Sequence, residues 1–261
     1  MKLCAAAAGS VLQGVNKMKR KILVSGSLGK MGKTLCDYIK AQPDYELVAG
    51  VDKASKETGA LFEGGYKIYN DLKQALSENQ IDVIIDFTEP KSVFDNILTA
   101  IENKTPIIVG TTGLKDAQKE ILAQNAQENG TPVLIVPNFA IGAILMAELA
   151  AKAAKYMQAC EIIELHHDAK KDKPSGTSIE TRKGILKALG KESQQSDNSI
   201  IPIHSVRLPG LVAHQEVILG ALGQTLTIRH DSYDRNSFMP GIRIAIEQIQ
   251  NLKGLSTGLK L

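Results

Sequence analysis

Short apolar runs alternate along the first half of the chain with longer stretches in which apolar residues return every three or four positions. Residues 21–25 (KILVS) read as a buried-strand run, and Met31, Leu35 and Ile39 then recur as one face of a helix requires. Further strands are predicted at 46–52, 81–86, 106–110 and 132–136, with helices over 91–103 and 115–129. Strands that are apolar on both sides and separated by helices belong in a parallel sheet covered by helices on both faces. The first half therefore reads as a doubly wound α/β unit.

After Pro137 the rhythm changes. A helix over 141–156 leads to a strand at 161–167, a loop and a helix over 177–189. Strand-like runs at 201–207, 216–219 and 226–230 then follow one another without intervening helices, which predicts an antiparallel or mixed sheet. Residues 238–252 return to helical spacing through Ile242, Ile246 and Ile249. The expected fold class is α/β: a Rossmann-like doubly wound parallel sheet plus an α+β unit with an open mixed sheet.

Composition narrows the function more than the fold. Of 261 residues, 43% are hydrophobic and 23% charged, which excludes a disordered or fibrous chain. Thirty-one Lys plus Arg face 28 Asp plus Glu, a net +3, so charge alone argues for neither nucleic acid nor membrane. No apolar run approaches the ~18 residues of a membrane span. Cys4, Cys36 and Cys160 are far apart, without metal-ligand spacing, so neither a disulfide framework nor a metal site is expected and a cytoplasmic setting follows. Residues 1–17 resemble a broken signal peptide and are read as a disordered extension or start-site artefact before Met18.

Two segments carry candidate chemistry. Gly26-Ser27-Leu28-Gly29-Lys30-Met31-Gly32 stands where the first strand meets the first helix, where glycines let backbone N–H groups approach a pyrophosphate. Asp52, ending the second strand, is placed to accept hydrogen bonds from an adenosine ribose, with Lys53 beside it to offset repulsion of a 2′-phosphate. NADH and NADPH both stay open. Asp86-Phe87-Thr88 and Gly110-Thr111-Thr112-Gly113 fall at the carboxyl ends of strands, where ligands bind in open α/β sheets. The second segment runs from Glu164-Leu165-His166-His167 through Lys170 to Pro174-Ser175-Gly176-Thr177. An imidazole for proton transfer, nearby lysines and a helix opening at Ser175-Gly176-Thr177 suit an anionic substrate. Neighbouring strand residues face opposite ways, so only one imidazole of the pair need be buried.

From Met18 to about residue 252 these motifs, with Asn138-Phe139-Ala140-Ile141-Gly142, resemble the dihydrodipicolinate reductase family, also called 4-hydroxy-tetrahydrodipicolinate reductases. The spacing from the His pair through Lys170 to Pro-Ser-Gly-Thr is the most specific part. The resemblance implies reduction of 4-hydroxy-tetrahydrodipicolinate, or its dehydrated form, to tetrahydrodipicolinate with NADH or NADPH, in the diaminopimelate route to lysine. It implies His166 as proton donor or acceptor, Lys170 as proton donor, and His167, Gly176 and Thr177 as contacts to the substrate's carboxylates. The glycine turn, Asp52, Lys53, Gly110, Thr111, Thr112, Val136, Pro137, Asn138 and Phe139 would hold the cofactor. It further implies a nucleotide domain over 18–137 completed by 236–261, a substrate and tetramerisation domain over 138–235, and a homotetramer. Asp168 and Ala169 replace a more basic pair of the family. Arg235, Phe238 and Gly241 resemble a family segment near the domain crossover, and His204, His214 and His230 are expected to be surface or core histidines. Another oxidoreductase of the same nucleotide fold, or a nucleotide-binding sensor, would share the glycine turn and Asp52 but has no need of the block from His166 to Thr177.

Overall fold

The computed structural model describes residues 18–261 apart from 57, 63, 195, 196 and 198, and the extension expected over 1–17 lies outside the described residues. In chain order the first part runs β1 (Arg20–Ser25), α1 (Lys30–Ala41), β2 (Tyr45–Val51), β3 (Ala60–Leu61), β4 (Lys67–Tyr69), α2 (Leu72–Glu78), β5 (Val83–Asp86), α3 (Val93–Glu102), β6 (Ile107–Val109), α4 (Asp116–Asn129) and β7 (Val133–Ile135). The second part adds α5 (Ile141–Ala154), β8 (Ala159–His166), α6 (Gly176–Ala188), β9 (Ile203–Arg207), β10 (Ala213–Ala221), β11 (Gln224–Ser232), α7 (Met239–Gln248) and β12 (Leu255–Thr257).

Eight strands form one sheet in the order β12-β7-β6-β5-β1-β2-β4-β3, parallel everywhere except between β3 and β4. Its central strands are buried on both faces, and successive side chains feed opposite cores. Ile22 and Val24 join Leu35 and Ile39 of α1 and Ile242 and Ile246 of α7. Leu23, between them in sequence, joins Val93 and Ile97 of α3 and Leu122 of α4 on the other side. Each of these side chains, when fully buried, contributes roughly 1.5–3 kcal/mol, which makes the helix-sheet-helix stack the stable frame for the loops above it.

The smaller sheet has the order β11-β10-β8-β9, antiparallel except for β8 with β9. Along β8 burial alternates between Cys160, Ile162 and Glu164 inside and Ala159 and Glu161 outside. α5 and α6 cover the inner face through Met146, Ala150, Ile185 and Leu186, packed on Ile162, Val217 and Leu219. Much of β11 is exposed. The tail then leaves this sheet: α7 packs into the core beside α1, and β12 pairs with β7 at the edge of the larger sheet.

The expected strands and long helices are present to within a few residues. Four elements are additional: β3, β4, α2 and β12. They have two, three, seven and three residues, too few for an alternating or 3.6-residue pattern to emerge, and they owe their form to pairing with the sheet and to the Asp71 side chain, which caps α2 by accepting from Gln74 N–H. β10 spans nine residues, well beyond the 216–219 expected, because its pairing to β8 and β11 continues through the polar His214 and Gln215.

Candidate active site

Parallel strands bring all their carboxyl ends to one edge of the sheet, and the loops after β1, β2, β5, β6 and β7 meet there. After β1, Gly26 adopts φ +83°, and a Cβ on it would lie 2.3 Å from the Phe87 carbonyl oxygen. A Cβ on Gly32 would lie 2.0 Å from the Gly26 carbonyl oxygen. Only glycines let this turn close against its neighbours. Gly29 caps α1 without a side-chain hydrogen bond, so no cap side chain competes with an anion for the N–H groups of the first turn.

Asp52 ties two of these loops together: its carboxylate accepts from Leu28 N–H (2.9 Å) and Ala54 N–H (3.0 Å). Lys53 reaches across to donate to the Ser92 hydroxyl at 3.0 Å. A cavity of about 500 Å³ opens here, lined by Gly26, Leu28, Gly29, Asp52, Lys53 and Thr88 among others. Its floor is fixed by Asp86, which is fully buried and accepts from the Thr88 amide and hydroxyl, the Thr111 hydroxyl (2.6 Å) and the Asn96 amide (2.7 Å). A buried carboxylate is tolerated because donors surround it.

A second cleft of about 400 Å³ lies between the two sheets. Met31, Phe87, Gly110, Pro137, Asn138 and Phe139 line it from the side of the larger sheet; His166, His214, Gln215 and His230 line it from the smaller sheet and Ser175 and Thr177 from the start of α6, with Arg235 near the start of the tail. Phe87 lines both cavities, and its ring stacks at a tilt on Phe139 with centroids 5.4 Å apart. Ser175 caps α6 by accepting from Ser178 N–H, which leaves the Gly176 and Thr177 amides at the open helix end.

His166, at the end of β8, lines the cleft with its imidazole. Its Nδ1 is bonded to the carboxylate of Glu164, two residues back on the same face. Burial works to raise the Glu164 carboxyl pKa, but hydrogen bonds from Arg207, Ser205 and His166 outweigh it and hold the group below the usual glutamate value. Arg207 supplies a two-pronged contact at 2.7 and 3.0 Å and also donates to the Asp172 carbonyl. Burial lowers the His166 pKa, and the Glu164 carboxylate partly restores it.

The expected site residues divide by position. Gly26, Leu28, Gly29, Asp52 and Lys53 line the first cavity, and Met31, Gly110, Pro137, Asn138, Phe139, His166 and Thr177 the second. Ser27 and Gly32 are buried within the turn, Lys30 is exposed at the start of α1 and Thr112 in the loop after β6, and Val136 is buried in the core. Thr111 spends its hydroxyl on Asp86. His167 is exposed on the turn after β8, opposite in sense to His166, and Lys170 pairs with Asp172 at 2.8 Å rather than lining the cleft. His204 is exposed on Glu161 as expected. His214 and His230, expected only at the surface or in the core, instead line the cleft. His214 donates through Nδ1 to Asp231 (2.7 Å) and accepts Val212 N–H at Nε2. Sequence reading misses both because strand register decides the matter: Gln215 pairs with Glu164 on one side and His230 on the other, and Ala213 pairs with His166 and Ser232. No group of three or more His, Cys, Asp or Glu among the described residues is arranged to hold a metal ion.

The family model for the N-terminus of dihydrodipicolinate reductase matches residues 20–139, and that for its C-terminus matches residues 142–260. The chain belongs to the dihydrodipicolinate reductase family. It is 44% identical to the 4-hydroxy-tetrahydrodipicolinate reductase of Syntrophomonas wolfei, over 94% of this chain and 98% of that one. The reductase of Streptococcus suis is 43% identical over 93% and 99%. A dipicolinate-bound dihydrodipicolinate reductase from Paenisporosarcina superposes with a TM-score of 0.80 at 35% identity, covering 92% of this chain and 98% of that one. An enzyme of gentamicin A biosynthesis solved with NAD shares the fold at 14% identity, with a TM-score of 0.66 and coverage of 92% and 89%.

Proposed function

We propose that the cleft between the two sheets reduces 4-hydroxy-tetrahydrodipicolinate, or its dehydrated form, to tetrahydrodipicolinate, with NADH or NADPH as reductant, as a step of lysine biosynthesis. One observation carries this reading. The His166 imidazole and the open end of α6 face Phe87, Gly110 and Asn138 across one cleft, and Phe87 joins that cleft to the glycine cradle.

The residues present fit the cofactor. The turn that a Cβ would fill and the uncapped start of α1 suit its pyrophosphate, while Asp52 retains acceptor capacity for ribose hydroxyls. Bound reduced nicotinamide supplies the hydride for the ring carbon conjugated to the substrate's C=N bond. The chain's own residues do the rest. The Gly176 and Thr177 amides bind one carboxylate, with partial positive charge from the helix end. Lys170, after exchanging Asp172 for the substrate, and His167 from the exposed turn after β8 contribute further donors to the substrate's carboxylates. His166 gives the proton that the reduced ring takes up, with Lys170 as a second donor. Asp52 favours NADH, and Lys53, released from Ser92, would accommodate the 2′-phosphate of NADPH.

The same reading places the enzyme in the cytoplasm, in keeping with Cys36 and Cys160, both buried as free thiols. It makes the chain one subunit of a homotetramer assembled on the smaller sheet, where Leu222 and Leu226 stand exposed. It also divides the chain into a nucleotide domain over 18–137 and 236–261 and a substrate domain over 138–235.

The test is a coupled assay. With the condensation product of pyruvate and aspartate semialdehyde as substrate, absorbance of NADH or NADPH should fall. In the same assay His166→Gln should lower kcat about 100-fold with cofactor Kd unchanged, whereas Lys170→Ala should lower kcat and raise KM. Oxidation of neither cofactor overturns the activity, and unchanged kinetics in both variants overturns the residue roles.

A further inference from the structure

The region around His166 holds more than the reaction as outlined requires. Two residues before it on β8, Glu164 is fully buried, an uncommon place for a carboxylate, and it occupies Nδ1 of the ring, which leaves Nε2 as the nitrogen available to the cleft. Behind Glu164, Arg207 of β9 closes a bidentate pair with its guanidinium only 5% exposed. Arg207 is itself fixed by donating to the Val206 and Asp172 carbonyls, both at 2.7 Å. The parallel register between β8 and β9, with Glu164 opposite Ser205 and His166 opposite Arg207, sets all three side chains on one face.

We infer that Glu164 and Arg207 are positioning residues that act through His166, holding its imidazole in the Nδ1–H tautomer so that Nε2 faces the substrate. The inference rests on His166 as the proton-transfer group of the proposed reaction. In the other tautomer the proton would sit on Nε2 and the bare Nδ1 would meet the Glu164 carboxylate acceptor to acceptor, so the Nδ1 contact holds only with a proton on Nδ1, as in the Nδ1–H form or the imidazolium. Glu164 also stabilises the imidazolium that must exist just before proton donation, since its negative charge lies against the ring. Arg207 keeps that charge in place: its two-pronged contact holds Glu164 as the carboxylate and so disfavours transfer of the Nδ1 proton to it. If the imidazolium donates through Nε2, the ring returns to the Nδ1–H form already favoured by Glu164, so no ring flip is needed between turnovers.

Other charged and titratable groups face the same ring. Lys170 from the following turn and Arg207 from β9 oppose its protonation, and burial opposes it most. His214, His230 and Arg235 line the same cleft from β10, β11 and the segment before α7. Against these, Glu164 is the negative group in contact with His166, so its removal has a defined sign: the His166 titration moves to lower pH.

The measurement pairs kinetics with ¹⁵N NMR of the histidine rings in the full-length chain, using wild type, Glu164→Gln and Arg207→Lys. Wild type should show His166 as the Nδ1–H tautomer. Glu164→Gln should lower kcat about 10- to 100-fold, shift the alkaline limb of kcat/KM and the His166 titration to lower pH, and leave cofactor Kd unchanged. Arg207→Lys, which keeps a cation beside Glu164, should retain most of the wild-type titration. A wild-type spectrum showing the Nε2–H tautomer, or a Glu164→Gln enzyme with the wild-type titration and kcat, overturns the inference. The tautomer and titration are read without turnover, so loss of the reductase activity from the proposal and loss of the positioning role are separate results. Should Glu164→Gln fail to fold, the wild-type tautomer and the Arg207→Lys titration decide the matter.

Discussion

At the scale of single residues, the histidines in the cleft make stability depend on pH with a definite sign. Burial holds His166 and His230 below histidine's ordinary value, with Glu164 and Asp231 respectively pulling the other way. An unfolded chain then binds more protons than the folded one in the interval between the two values, so stability rises with pH there. This contribution is complete above about 6.5 and is lost as pH falls through the folded value. Asp231, held low by Arg229 against the cost of burial, and Glu164 behave in the same direction at lower pH: their contribution is present above the ordinary carboxylate range and is lost below it. Thermal melts from pH 8 to pH 3 should therefore show Tm falling in two stages, and His230→Gln should reduce the first. A Tm that rises between pH 7 and pH 6 contradicts this account. The glycine turn, Asp52 and His166 were legible in the sequence because a local pattern carries each. Glu164 sits in the same motif, yet its partner Arg207 is 43 residues away and is brought to it only by strand register.

Elements were legible in proportion to their length. α1, with Leu35, Cys36 and Ile39 buried at helical spacing, is readable from sequence alone, whereas β12 is three residues long and exists because β7 offers it an edge. α7 shows how tightly one element is fitted to another. A Cβ on Gly241 would lie 1.9 Å from the Phe139 carbonyl oxygen, a backbone atom that cannot rotate away. Ala is the better helix former by up to about 1 kcal/mol, but the contact forces α7 off the segment that carries Asn138 and Phe139 into the cleft, at a cost of roughly 1–3 kcal/mol. Gly241→Ala should thus destabilise the enzyme and lower kcat together. Gly184, inside α6, has nothing within 4 Å of its would-be Cβ, so Gly184→Ala should gain stability by about 0.5–1 kcal/mol with kinetics unchanged. Denaturant melts and steady-state rates on the two variants separate helix propensity from packing.

For the whole molecule, the chain leaves the larger sheet after β7, builds the smaller one and returns through α7 and β12. That return puts the tail in contact with the strand that leads into the cleft. β12 pairs along all of β7, Gly258 N–H donates to the Ile135 carbonyl at 2.8 Å, and Leu259 is buried against the core shared with α7. The helical spacing of the tail was visible in the sequence, but its destination came only with the family resemblance, since nothing local distinguishes a helix that packs on one sheet from one that packs on the other. Removing residues 253–261 should expose the β7 edge and unseat Leu259, whose burial is worth roughly 1.5–3 kcal/mol. Against a typical total of about 5–15 kcal/mol, the shortened chain should still fold. Because Pro137, Asn138 and Phe139 follow β7 directly, the loss should also loosen the nucleotide side of the cleft. The expected result is a lower urea midpoint and a raised NADH Kd, with the core under α5 and α6 unaffected. A truncated enzyme with the wild-type midpoint and wild-type NADH Kd would mean that the returning tail only covers the sheet edge and takes no part in shaping the site.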